Sequence, residues 1–315
     1  MERNILKLLE GTRRNVPLAP YTTFKIGGPA RYFFAAKSTK DILRATKLAK
    51  SYKLPLFVLA GGSNVLLADK GFSGLVVFMQ NTQFEFQGTK LQVAAGVDFS
   101  VIVKEAGKRG LAGLEWAGGL PGSVGGAVRG NAGAFGGEVK DNLIAAEVLS
   151  KRGNVRWLDD KQCQFSYRTS VFKKKNWIVV SATFQLKKGN KKKIQSAAQD
   201  HIRYRKERHP LEYPNAGSIF KNCDLKKFSA KLQKEVQHAV KVDPFPVVPA
   251  AYLISEAQLK GLRAGKAQVS KKHPNYIVNL GGASAADVLF LIEKVKKAVK
   301  KKFSVELEQE VQFVS

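Results

Sequence analysis

The stretch from Gly113 to Gly137 constrains this chain more than any other, because ten of its 25 residues are glycine although the whole chain holds only 28. Glycine recurs at every third position at 119, 122 and 125, and again at 130, 133 and 136. The Rossmann fingerprint is a different pattern, with a glycine at i+2 opening a helix. A flexible linker would be polar and serine-rich, whereas this segment carries Leu114, Trp116, Leu120, Val124, Val128 and Phe135. Apolar side chains anchor such a loop, while glycines let backbone amides approach an extended anion. The pattern therefore predicts a cradle for a dinucleotide cofactor. A second glycine pair, Gly61-Gly62, followed by Ser63 and Asn64, comes straight after the apolar run Leu56–Ala60. A turn of that kind after a buried strand also exposes amides to a phosphate.

The rest of the chain reads as globular. Its 315 residues correspond to about two domains, and its 44% hydrophobic and 25% charged content is a folded profile. No apolar run approaches the roughly 18 residues that cross a bilayer, and charge interrupts the first seven residues before a signal region forms. The expectation is a cytoplasmic protein, with no membrane partner. Cys163 and Cys223 are too few for a disulfide framework, and the four histidines (201, 209, 238 and 273) have no metal-ligand spacing, so no metal is expected. Lys and Arg number 53 against 25 Asp and Glu, a net charge of +28. The excess lies in many short runs, such as Lys173–Lys175 and Lys300–Lys302. It is read as a lysine-rich solvated surface, with no dedicated nucleic-acid partner.

Periodicity places the elements. An amphipathic helix is expected over 39–52, started by Ser38 with Asp41, and strands over 56–60, 74–79 and 91–95. A short helix fits 100–109. Segments 144–150 and 155–158 flank Lys151–Asn154 as a hairpin, and 177–186 is a long strand. Residues 187–193 read as a linker, 194–208 as a helix and 209–224 as a Pro/Gly/Asn-rich loop. The clearest helix is 284–302, with Ser284 and Asp287 at its start. Alternation of Phe303, Val305, Leu307, Val311 and Phe313 predicts a C-terminal strand, with Glu306, Glu308 and Glu310 on its other face. The class is α+β, with a boundary near 190–205.

Seven motifs, in order along the chain, resemble one family. They are Tyr21–Ala30, Ala60–Leu66, Gly113–Gly137, Ser166–Ser170, Asn215–Asn222, Gly265–Ser270 with His273 and Asn275, and Glu308–Val311. Together they resemble the UDP-N-acetylenolpyruvoylglucosamine reductases, the MurB flavoenzymes of bacterial peptidoglycan synthesis. The resemblance implies a two-lobed FAD-binding region of the vanillyl-alcohol-oxidase (PCMH-type) fold over 1–190, with lobes of about 1–80 and 81–190. It also implies a substrate-binding domain over 200–303, with 304–315 returning to the first lobe. The implied reaction is NADPH-dependent reduction of the enolpyruvyl ether of UDP-N-acetylglucosamine to UDP-N-acetylmuramate, in a cytoplasmic enzyme with small-molecule partners and a monomeric state favoured.

Hydride addition to the vinyl carbon pushes charge into the adjacent carboxylate, and fixed donors aimed at such charge contribute roughly 3–4 kcal/mol each. On the family pattern Arg168 supplies a planar fork for that carboxylate, Glu310 helps stabilise the enol-like intermediate, and Ser218 delivers the proton. Periodicity alone leaves Glu306, Glu308 and Glu310 equivalent; the family pattern selects Glu310. Cofactor contacts are implied for Gly61, Gly62, Ser63, Asn64, Gly118, Pro121, Gly122, Ser123, Gly125, Gly126, Asn131 and Gly133. Substrate or nicotinamide contacts are implied for Arg208, Lys221, Asn222, Gln268, His273 and Asn275.

Two departures stand out. Cys223 follows Asn222 where the family usually has proline, and Arg168 and Ser218 are 50 positions apart (218 − 168), as in the shorter subclass without the inserted tyrosine-bearing loop. Residues 1–200 contain no histidine, so the FAD is expected to be non-covalent. Two other readings are weighed: a different FAD-dependent oxidoreductase of the same fold, and a basic nucleic-acid-binding protein.

Overall fold

The computed structural model describes residues 2–150, 153–243 and 245–315, with side chains from Ile5 onward. The chain forms two compact units. The first comprises residues 1–16, 29–61 and 72–205; the second comprises 17–28, 62–71 and 206–315.

The first unit holds two sheets over one core. Strands Arg13–Pro17, Pro29–Ala36, Phe72–Met79 and Leu56–Leu59 lie side by side in that order, and Phe72–Met79 runs parallel to the strands on both its sides. Parallel neighbours need a crossover, which the helix Thr39–Ser51 provides. Ser38 caps it by accepting from the Asp41 amide, while the Asp41 carboxylate accepts from the Lys37 amide. Its buried Ile42, Ala45, Leu48 and Ala49 share a core with Tyr32, Phe34, Leu75 and Val77. The second sheet is antiparallel, in the order Val155–Asp159, Leu143–Leu149, Ile178–Gln185, Lys90–Ala94 and Phe84–Gln87. The expected hairpin pairs Leu149 with Val155; Lys151 and Arg152 of its turn lie outside the described residues.

One expectation fails here. Segment 187–193 is structured: Lys187–Lys188 pairs with Leu111–Ala112, and the Asn190 side chain accepts from the Lys193 amide where the helix Lys191–Arg208 begins. Charged side chains hid a sheet edge and a helix start. Most of that helix belongs to the first unit, up to Arg205.

The second unit is built round the helix Ala285–Phe303, whose Val288, Leu291, Ile292, Val295 and Val299 are buried with Phe24, Ile26, Leu66, Val269 and Ile277. Ser284 and Asp287 form a reciprocal capping box. Asp69 adds a second cap, its two carboxylate oxygens accepting from the Ala285 and Ala286 amides. Backbone hydrogen bonds from Gly28 to Ala68 and from Ala68 to Val314 bind the inserted segments 17–28 and 62–71 into this unit. The expected cut assigned both segments to the first lobe; these bonds group them with the C-terminal part. The C-terminal strand is present but shorter than the alternation from Phe303 suggested. The helix runs to Phe303, Ser304 turns left-handed (φ 55°), and only Gln312–Val314 is a strand, parallel to Val65–Leu67. Val305, Leu307 and Val311 are buried as the alternation required, but Val314, not Phe313, is the inward residue at the end. No helix among the described residues is long and apolar enough to cross a membrane.

Candidate functional site

In the first unit the glycine-rich segment is stitched to the end of a strand. The Val124 and Gly125 amides donate to the carbonyls of Val97 and Ala95, and the Phe99 amide donates to Gly122. Ser123 caps the short helix Val124–Gly130 by accepting from the Gly126 amide. The glycines are there for close approach. A Cβ on Gly61 would lie 2.6 Å from the Gly122 Cα, one on Gly125 2.7 Å from the Ala95 Cβ, and one on Gly118 2.3 Å from the Ala198 carbonyl oxygen. Two backbones therefore meet at Gly61 and Gly122 with no room for side chains.

The amides of Gly119, Gly122 and Ser123 donate to no acceptor among the described residues. Pro121 and Gly126 are exposed on the same turn. Backbone N–H groups with no committed acceptor suit an anionic pyrophosphate, so this segment fits FAD. Helix Lys191–Arg208 braces it from outside. Arg205 Nε donates to the Gly118 carbonyl (2.8 Å), His201 Nδ1 donates to that of Glu115 (2.8 Å), and the His201 ring stacks on Phe135 at 4.1 Å. Nothing in the sequence marked Arg205 or His201 out among so many basic residues. The cofactor unit thus holds one histidine after all, with Nδ1 engaged.

Asn131 and Gly133 are bonded to the turn that carries Arg168. Asn131 is fully buried in a left-handed conformation (φ 44°); its side chain donates to Glu138 and to the Ser166 carbonyl and accepts from the Lys140 amide. The Gly133 carbonyl accepts from Arg168 Nη2 at 2.6 Å. Arg168 itself has φ 54°, on a tight turn closed by reciprocal bonds between Ser166 and Thr169, with its guanidinium 5.0 Å from the Tyr167 ring. A left-handed non-glycine residue costs of order 1–3 kcal/mol, and such strain persists where the surroundings over-determine a side chain.

In the second unit, Gly62 is left-handed (φ 60°) and its carbonyl accepts from the Thr23 amide. Asn64 is tied to the C-terminal tail: its Nδ2 donates to the Glu310 carbonyl (3.3 Å), and its own carbonyl accepts from the Gln312 amide. Ser63 lies between them, half-buried.

Ser218 follows Gly217 (φ 74°), whose amide donates to Asn215 Oδ1. The chain after it is clamped on both sides. On one side Asn275, 3% exposed, accepts from the Phe220 amide and donates to the Phe220 carbonyl, while its backbone carbonyl accepts from Ile219. On the other, Phe220 bridges Gln309, the Glu310 amide donates to the Ile219 carbonyl (2.8 Å), and the Lys221 amide donates to Glu308. Ser218 and Glu310 thus sit on adjoining backbone segments, whereas Arg168 belongs to the first unit.

The expected substrate contacts divide. Lys221 Nζ is paired with Glu308, and Asn222 Oδ1 caps the helix Ala250–Glu256 through the Ala250 amide. Gln268 and Asn275 are buried and bonded to backbone carbonyls, of Gly261 and Phe220 respectively. Arg208 is exposed. His273 packs edge-on against Tyr276 and His209; its buried Nδ1 has no partner among the described residues, and burial pushes its pKa down to about 4. Among the described residues no group of three His, Cys, Asp or Glu side chains is placed to hold a metal.

Comparison with known proteins decides between flavoenzymes. Residues 30–159 match the FAD binding domain family, and residues 209–314 match the C-terminal domain of UDP-N-acetylenolpyruvoylglucosamine reductase. The reductase of Lachnoclostridium phytofermentans is 39% identical over 98% of this chain and 96% of its own length. The chain belongs to the UDP-N-acetylenolpyruvoylglucosamine reductase family. The reductase of Clostridium novyi is 40% identical over 97% of this chain and 92% of its own. The crystal structure of the reductase (MurB) from Thermus caldophilus superposes with a TM-score of 0.77 at 32% identity, over 96% of this chain and 100% of that one. As a MurB-family member the chain is an FAD-dependent oxidoreductase, and its α+β fold is that of the family.

Proposed function

We propose that this chain reduces the enolpyruvyl ether of UDP-N-acetylglucosamine to UDP-N-acetylmuramate in peptidoglycan precursor synthesis, with NADPH as reductant, in the cytoplasm and as a monomer. Identity of 39% over nearly the whole chain to a curated reductase carries the activity. The hydrogen-bonded pairing of Ile219 with Glu310 supports the assignment of roles. FAD, when bound, supplies the hydride that reaches the vinyl carbon. The amides of Gly119, Gly122 and Ser123 would hold its pyrophosphate, with Gly61 leaving room for that turn.

The protein's own residues manage charge and a proton. The Arg168 guanidinium, fixed by the Gly133 carbonyl and by its left-handed backbone, faces the substrate carboxylate as negative charge develops on it. Ser218 Oγ donates a proton to the carbon next to that carboxylate. Serine is a poor acid in water, so this step needs a polarised, water-excluded setting. Glu310 steadies the enol-like intermediate. Lys221, Asn222 and Asn275 act by shaping the strap that carries Ser218, and His273, neutral near pH 7, serves as a hydrogen-bonding group rather than a charge.

The test is optical. Purified protein should be yellow, bleach anaerobically with NADPH and regain colour on addition of the enolpyruvyl substrate; acid should release the flavin. Colourless protein that co-purifies with nucleic acid and frees it steeply with salt would refute the reading.

A further inference from the structure

Two of the glutamates near the C-terminus form ion pairs of different kinds. Glu306 pairs with Lys300 at the surface, where both side chains are mostly exposed (76% and 64%). Glu308 pairs with Lys221, whose side chain is only 12% exposed while that of Glu308 is 60%. The difference matters, because an exposed pair contributes little whereas a largely buried ammonium needs its partner. No other partner of the Lys221 ammonium is found among the described residues.

We infer that the Lys221–Glu308 ion pair is a latch that keeps the Glu310-bearing segment in register with the Ser218-bearing strap. The inference rests on the proposed roles of Ser218 and Glu310. Residues 304–311 form no regular strand, so few backbone bonds fix their position. On the strap side these are the Lys221 amide to Glu308 and the Glu310 amide to Ile219, with the Phe220–Gln309 bridge between them, and on the other side Asn64 Nδ2 donates to the Glu310 carbonyl. The side-chain ion pair closes the same two residues that the first of these bonds joins. A slip of one residue in such a pairing turns every side chain to the opposite face. It would replace Glu310 by Gln309 or Val311 beside the strap.

Lys221 and Glu308 are therefore positioning residues, distinct from a phosphate-binding lysine and a spectator. The two accounts differ in what Glu308→Gln does. If Lys221 served substrate phosphates, freeing it from Glu308 would lower KM for the UDP-sugar. As a latch, the pair sets the rate at saturation.

The experiment compares wild type, Glu308→Gln, Lys221→Gln and the exchanged pair Lys221→Glu/Glu308→Lys, all with FAD bound. Bleaching by NADPH should be unchanged in Glu308→Gln. Recolouring at saturating substrate should slow by about tenfold to a hundredfold in both single variants, with KM little altered, and the exchanged pair should recover most of the loss. Hydrogen exchange of peptides covering 305–311 should quicken in Glu308→Gln and return towards wild type in the exchanged pair. Wild-type recolouring with unchanged single variants, a lowered KM in Glu308→Gln, or an exchanged pair no better than either single would overturn the latch. Quickened exchange in Glu308→Gln, together with a wild type that itself fails to recolour, would keep the latch and remove the functional reading.

Discussion

Asn275 offers the sharpest test of how the Ser218 strap is held. Its side chain accepts from the Phe220 amide at 3.0 Å and donates to the Phe220 carbonyl at 2.9 Å, standing in for a neighbouring strand. Asn275 and Phe220 are 3% and 2% exposed, so water does not replace those bonds freely. Asn275→Ala leaves one buried donor and one buried acceptor without partners, at roughly 1–3 kcal/mol each. The opening free energy of the strap should therefore fall by about 2–6 kcal/mol, nearer the lower figure if a water enters the space vacated. Native-state hydrogen exchange on a peptide covering 216–222 reads this directly, because local opening governs exchange there. Exchange should quicken by about thirtyfold or more, since each 1.4 kcal/mol is about tenfold. Recolouring by substrate should slow while bleaching by NADPH persists. Unchanged exchange at Phe220 would show that the clamp contributes nothing, and the account of how the strap is positioned would fall.

Three further outcomes are expected. Gly61→Ala sets a methyl 2.6 Å from the Gly122 Cα, so it should purify with much less FAD than wild type; full flavin occupancy would contradict the cradle. Burial pushes the thiols of Cys163 and Cys223 up to about 12 and about 11, so both should resist a thiol reagent at pH 8 until denaturant is added, whereas rapid native labelling would contradict their burial. His273 is held neutral, with its pKa lowered to about 4 by burial and, secondarily, by Lys241, beside His209 and Tyr276. The unfolded chain binds the proton first, near pH 6.5, so stability should fall as pH drops from about 6.5 to 4 and level off below, by up to roughly 3 kcal/mol. His273→Asn should flatten that slope, and an unaltered slope would assign it to other groups.

Much of the architecture was legible because it is written in local signals. Ser38 and Ser284 cap the two helices they precede, and the apolar faces of 39–51 and 285–303 point inward as their spacing required. The glycine segment was legible as a cradle because only glycine allows backbones to meet as Gly61 and Gly122 do. The misreadings came where backbone bonds decide. Lys187–Lys188 carries no strand-forming side chain yet closes a ladder with Leu111–Ala112. The alternation after Phe303 buries the right residues without a continuous partner strand, so the expected strand shrinks to three residues. Segments 17–28 and 62–71 joined the second unit through main-chain bonds that leave no mark on composition.

The candidate site divides the same way. No periodicity distinguished Glu310 from Glu306 and Glu308; resemblance did. Asn131 and Asn275 are expected as ligand contacts from their motif positions, and their side chains are bonded to buried backbone. Motif position alone does not separate a residue that touches substrate from one that holds such a residue in place.

Ser218→Ala in the anaerobic two-step assay most directly tests whether a hydroxyl completes the reaction. Bleaching by NADPH should proceed at the wild-type rate, and recolouring by the enolpyruvyl substrate should slow by about 10²–10⁴-fold, the range of a lost proton donor. Recolouring at the wild-type rate would contradict the assignment of Ser218, and with it the chemistry proposed for this chain.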